Sequence, residues 1–80
     1  LTGLQLFPNP TSGLLHVHLH NPAGKHWTAD LFDIQGRKLR STSSRKTAID
    51  LDMSTLAEGV YMVRVVDAEG KIANRKVVKR

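Results

Sequence analysis

The sequence predicts an all-β fold, a small antiparallel immunoglobulin-like β-sandwich of about seven strands. Three observations carry this. Apolar residues recur with a period of two rather than 3.6. Turn formers cut the chain into many short runs. The 80 residues suit one small domain with a modest core and leave no room for a second.

The elements follow in chain order. "LQLF" (4–7) is a short first strand. "FPNPTSG" (7–13) is a stiff corner, because Pro8 and Pro10 fix φ, remove two donors and push the residue before each toward extended geometry. In "LLHVHLH" (14–20), Leu15, Val17 and Leu19 alternate with His16, His18 and His20, the pattern of a half-buried strand. "NPAGK" (21–25) is a turn. "WTADLFD" (27–33) sets Trp27, Ala29 and Leu31 on one face, with Phe32 and Ile34 on the other, so cover on both sides is expected.

"DIQGR" (33–37) and "DAEGK" (67–71) share the form Asp-x-x-Gly-basic. The aspartate accepts from backbone N–H groups ahead of it, and glycine takes the left-handed position that closes a turn with a bulge. Each is a predicted hairpin. "KLRST" (38–42) is a strand, and the polar run "STSSRK" (41–46) reads as a loose loop. "TAIDLD" (47–52) offers Ile49 and Leu51. "DMSTLAE" (52–58) is the one stretch suited to a helical turn, with Asp52 or Ser54 as its cap. "VYMVRVV" (60–66) is apolar on both faces and reads as the central strand. "KIANRKVVK" (71–79) is more polar and reads as an edge. The expected core is Leu15, Val17, Leu19, Trp27, Leu31, Ile49, Leu51, Tyr61, Val63 and Val65.

Composition removes several function classes. There are no cysteines, which excludes disulfides, thiolate metal sites and cysteine nucleophiles. No apolar run approaches the roughly 18 residues of a membrane span, and the first residues lack the pattern of a secretory signal. The net charge of +5 fits phosphate polymers, acidic glycans or plain solubility. A nucleic-acid surface needs aromatics among its basic residues, and Trp27 and Tyr61 read as buried, so no nucleic-acid partner is expected. Serines 12, 43, 44 and 54 sit in turn-like contexts with no nucleophile elbow. No enzyme activity and no cofactor are expected. His16, His18 and His20, about 6.8 Å apart on one strand face, are weak candidates for a zinc site and otherwise the wet face of a strand.

Four motifs occur together and in order: "FPNPTSG", "LFDIQGRKL", "LAEGVYMVRV" and "RKVVKR". Together they closely resemble the type A C-terminal sorting domain of the type IX (Por) secretion system of Gram-negative bacteria, over almost the whole chain. The matching positions are Asn9, Pro10 and Gly13; Asp33, Gly36 and Arg37; Gly59 and Tyr61; and Lys76, Val77, Val78, Lys79 and Arg80. Phe7 stands where the family often has tyrosine, and the three-histidine strand is outside the family pattern.

The resemblance implies a small immunoglobulin-like sandwich forming the tail of a larger exported protein, here residues 1–80. It implies passage through the periplasm, then export to the outer-membrane surface or the medium. The implied partners are the type IX translocon and a sortase-like signal peptidase, which usually removes the domain and leaves the cargo attached or released. The cleavage site is expected upstream of the first strand, near or before Leu1. In structural terms, Gly59 is expected to allow positive φ or a close approach, and Tyr61 to bury its ring while its hydroxyl finds a partner. Two readings of the last strand stand side by side. It is a solvated edge guarded by lysines, or an edge another chain recognises by strand addition. An exposed basic edge also permits weak self-association. The alternative function is an adhesive or carbohydrate-binding sandwich at the end of a surface enzyme.

Overall fold

The computed structural model describes residue 1 and residues 3–80. Seven strands follow one another: β1 (Gln5–Phe7), β2 (Leu14–His18), β3 (Trp27–Phe32), β4 (Lys38–Ser44), β5 (Ala48–Asp52), β6 (Gly59–Val66) and β7 (Ile72–Lys79). They form two antiparallel sheets, ordered β1-β2-β5 and β4-β3-β6-β7. β6 lies inside its sheet and β7 at its edge, as the apolar and polar patterns predict.

Alternation builds the core. Leu15 and Val17 on β2 and Ile49 and Leu51 on β5 face inward from the smaller sheet. Trp27, Ala29, Leu31, Tyr61, Val63, Val65 and Val77 face them from the larger one, in a single cluster. Cross-strand pairs Leu15–Leu51 and Val17–Ile49 keep this set in register, since a one-residue slip would turn every side chain outward. All ten expected core residues are buried, and Ala29, Met53 and Val77 join them. Trp27 is 1% exposed and its Nε1–H donates to the Lys46 carbonyl at 2.7 Å, so its one polar group is met.

The two Asp-x-x-Gly hairpins are built alike. Asp33 Oδ1 accepts from the N–H groups of Gln35 (2.9 Å) and Arg37 (3.0 Å). Asp67 Oδ1 accepts from Glu69 (3.0 Å) and Lys71 (2.9 Å). Gly36 and Gly70 have φ of 84° and 82°, the left-handed conformation a side chain would strain. The Asn21 side chain ties the third turn by donating to the Lys25 carbonyl at 2.8 Å and accepting from the Lys25 N–H at 3.2 Å.

Three expectations are corrected. Residues 41–44 are strand, not loop: they pair with β3, and Ser41 Oγ donates to Asp30 Oδ1 at 2.6 Å while Thr28 and Ser43 share a hydrogen bond at 3.2 Å. Polar side chains suit an edge strand, which has one wet face. Ile34 is 84% exposed because it sits in the hairpin turn rather than on β3. β6, apolar on both faces and central as read, is covered on one of them, with Val60 and Met62 near 40% exposed. Residues 53–56 form a turn and no helix, with Leu56 N–H donating to the Met53 carbonyl at 3.0 Å and Asp52 Oδ1 accepting from Ser54 N–H at 2.9 Å. Met53 is fully buried and its N–H is held by the Gly13 carbonyl at 3.0 Å, so the chain is pinned before a second turn can propagate.

Candidate functional site: the joined ends of the chain

The segment after β1 and the last strand meet along one sheet edge. Asn9 Nδ2 donates to the Lys76 carbonyl at 3.1 Å, and Val78 N–H donates to Asn9 Oδ1 at 3.0 Å. The side-chain amide thus presents one donor and one acceptor to β7, as a neighbouring strand would. Two residues on, Thr11 N–H donates to the Val78 carbonyl and Arg80 N–H to the Thr11 carbonyl, both at 2.9 Å, making a parallel bridge between Thr11 and Lys79. Phe7–Pro8 and Asn9–Pro10 are both cis. Thr11, 1% exposed, donates its hydroxyl to the Leu14 carbonyl at 3.1 Å and accepts from Gly13 N–H at 3.3 Å.

These contacts overturn the picture of a freely exposed final edge. In an antiparallel ladder, residues alternate the side to which their N–H and C=O point. The bonds from Val78 and Arg80 to the lead-in place even-numbered residues of β7 on the outer edge. From Lys76 C=O to Arg80 that edge is already occupied by Asn9 and Thr11. Only the stretch from Ile72 to the Lys76 N–H lacks a backbone partner among the described residues.

The motif "KVVKR" divides in the same way. Val77 and Lys79 point to the inner side and are buried, at 0% and 8% exposure. Lys79 stands opposite Gly59 in the β6–β7 register. Lys76 and Arg80 are exposed and Val78 half-buried. Gly59 has φ 152° with nothing within 4 Å of a built Cβ, so its need is conformational and not a close approach. Tyr61 is 8% exposed and its hydroxyl donates to the Ala57 carbonyl at 2.6 Å, fastening the turn before β6.

The other motif positions lie elsewhere. Asp33, Gly36 and Arg37 form the β3–β4 hairpin, where Arg37 Nε also donates to Asp33 Oδ2 at 2.7 Å. The Arg37 backbone N–H foremost, then its guanidinium and the Gln35 N–H, hold the Asp33 carboxyl below its ordinary value. Of the three histidines, His16 and His18 are on β2 with rings 6.5 Å apart, while His20 lies past its end. Phe7 packs on both rings, and His16 Nδ1 lies 2.7 Å from Asp50 Oδ1. The described residues contain no group of three or more His, Cys, Asp or Glu able to hold a metal.

The secretion system C-terminal sorting domain family matches residues 5–80. The chain belongs to that family. It is a C-terminal sorting signal for type IX secretion. No curated protein matches the chain. The stretch that matches the family begins at β1 and takes in both partners of the joined edge. A sorting domain acts by interacting with the type IX machinery, and it implies export to the cell surface or extracellular space. The family is not a catalytic one. The match favours sorting over an adhesive or carbohydrate-binding module.

Proposed function

We propose that this sorting domain is a non-enzymatic address read in its folded form, through a surface that both ends of the motif build together. The observation that supports this is the four-bond junction between Asn9, Thr11 and residues 76–80. On this reading Lys76, Val78 and Arg80 are the side chains presented to the machinery, while Val77 and Lys79 hold the strand in place. Asn9-Pro10 and Gly13 shape the lead-in. The Asp33–Arg37 hairpin, Gly59 and Tyr61 keep the sheet rigid. The translocon takes up the folded tail of a larger protein from the periplasm. A sortase-like peptidase then cuts upstream of β1 and leaves the cargo anchored or released.

The junction links fold and signal. A chain whose last strand is missing or misplaced also loses the ordered lead-in, so an unfolded passenger does not display the address. The test is a reporter fused ahead of residue 1 in a type IX-competent bacterium. Deleting residues 76–80 is expected to leave the reporter in the periplasm, and Lys76→Glu with Arg80→Glu to do the same with the fold retained. Normal export of both variants would sink the reading.

A further inference from the structure

We infer that the outer face of the larger sheet, from Phe32 across Met62 and Arg64 to Lys76, is a docking surface of the sorting domain, fitted to a protein segment that carries carboxylates beside apolar side chains. This rests on the sorting reading, shares Lys76 with the β7 surface proposed above and extends it across β6, naming the chemistry of its partner.

The two outer faces differ in chemistry. That of the smaller sheet carries exposed Phe7 and Leu14 among His16, His18 and the acids Asp50 and Asp52, with His16 and Asp50 paired to each other. That of the larger sheet is apolar and cationic. Val60 is 42%, Met62 39% and Ile72 57% exposed, on strands that pair Val60 with Val78 and Val66 with Ile72. Phe32 lies beside Met62. The Arg64 guanidinium sits 5.1 Å and the Lys38 ammonium 5.9 Å from the Phe32 ring centroid.

The acids of this face do not balance its cations. Asp30 is 8% exposed, accepts from Ser41 and lies 3.6 Å from Lys38. Arg64 and Lys76 form no ion pair and no side-chain hydrogen bond among the described residues. Met62 is directly opposite Lys76 and Arg64 opposite Asn74, so the two cations are diagonal neighbours across the β6–β7 pair. Two like charges at that spacing favour a carboxylate between them. Exposed methionine beside half-buried phenylalanine, edged by arginine, matches the composition of an interface centre. The β6–β7 face measures about 26 by 10 Å from strand rise and spacing, small by the standard of stable complexes and suited to a transient hold on a passenger that must be let go.

A membrane is the rival occupant, since anionic headgroups also offer oxyanions. Arg64 and Lys38 fold onto Phe32 rather than reach outward, and the exposed apolar side chains beside them lie on strands, which favours a protein segment.

An NMR titration of the 80-residue chain with a synthetic (Glu-Val)4 peptide tests this. Shifts are expected at Met62, Arg64 and Lys76, reversed by high salt and absent from Arg64→Glu/Lys76→Glu. Shifts confined to His16 and His18, or none, overturn it. So does binding to phosphatidylglycerol vesicles through Arg64 and Lys76 under conditions where the peptide does not bind. In the export assay Arg64→Glu alone, which leaves residues 76–80 intact, is expected to cut surface reporter roughly tenfold, the scale of lost charge contacts across an interface, with the thermal midpoint retained and His18→Glu unaffected. Wild-type export by Arg64→Glu overturns the inference. Should the unaltered fusion fail to leave the cell, the sorting reading falls, and the peptide titration still decides the docking surface.

Discussion

Replacing Asn9 with alanine tests the junction at its narrowest point. The substitution removes two hydrogen bonds, to the Lys76 carbonyl and from the Val78 N–H, and nothing else of size, because Asn9 is exposed. Each such bond contributes about 0.5–1.5 kcal/mol, and here water can reach the groups left behind, so the sum sits low, at roughly 1–1.5 kcal/mol. For a domain of this size that is about 4–8 °C in the thermal midpoint per kcal/mol. The loss is local: Thr11 and Arg80 keep their backbone bonds at first, then fray as the lead-in loosens. Amide exchange at Val78 and Arg80 should therefore quicken by about fivefold or more, the factor for 1 kcal/mol, while β3 amides change little beyond the global effect. An Asn9→Ala protein with an unchanged midpoint and unchanged exchange at both amides would refute the junction as a structural tie.

Other outcomes follow from the same contacts. Trp27→Ala empties the largest buried site, at a cost of about 3–5 kcal/mol against a total of roughly 4–12 kcal/mol for 80 residues, so its urea midpoint should fall sharply. Gly36→Ala forces a side chain into φ 84° and should cost about 1–2 kcal/mol by the same measurement. Acid sensitivity has a defined sign. Asp33, by the Arg37 backbone first, and Asp52, by the Ser54 side chain first, are held below their ordinary 3.8. Their contribution is complete above that value and drains as the pH falls through the lower folded values. Asp33→Asn should thus be less stable than wild type at neutral pH and converge on it in acid, read from urea midpoints across pH.

Much of the fold was legible because alternation is a local signal. Leu15-x-Val17-x-Leu19 and Tyr61-x-Val63-x-Val65 state which side is buried within a few residues, and Asp33 and Asp67 state their turns within five. The β4 extension was hidden because Ser41–Ser44 has no apolar face; its pairing comes from Asp30 and Thr28 across the sheet. Ile34 misled for the opposite reason: hydrophobicity does not say whether anything is there to cover it. Of the candidate site, the sequence revealed the members but not their meeting. Asn9 and Val78 are 69 residues apart, and no period connects them. The odd feature was the asparagine itself, a side chain able to imitate a strand's backbone, between two prolines that cannot donate. Lys79 escaped because a lysine ordinarily reads as exposed, whereas its place on the inner side of β7 leaves it 8% exposed.

The most direct measurement is the location of a passive reporter carrying residues 1–80 at its end, compared in a bacterium with a working type IX translocon and in the same strain lacking it. The sorting account predicts reporter on the surface or in the medium of the first and retained in the periplasm of the second. Retention in both strains, or release from both, would contradict it.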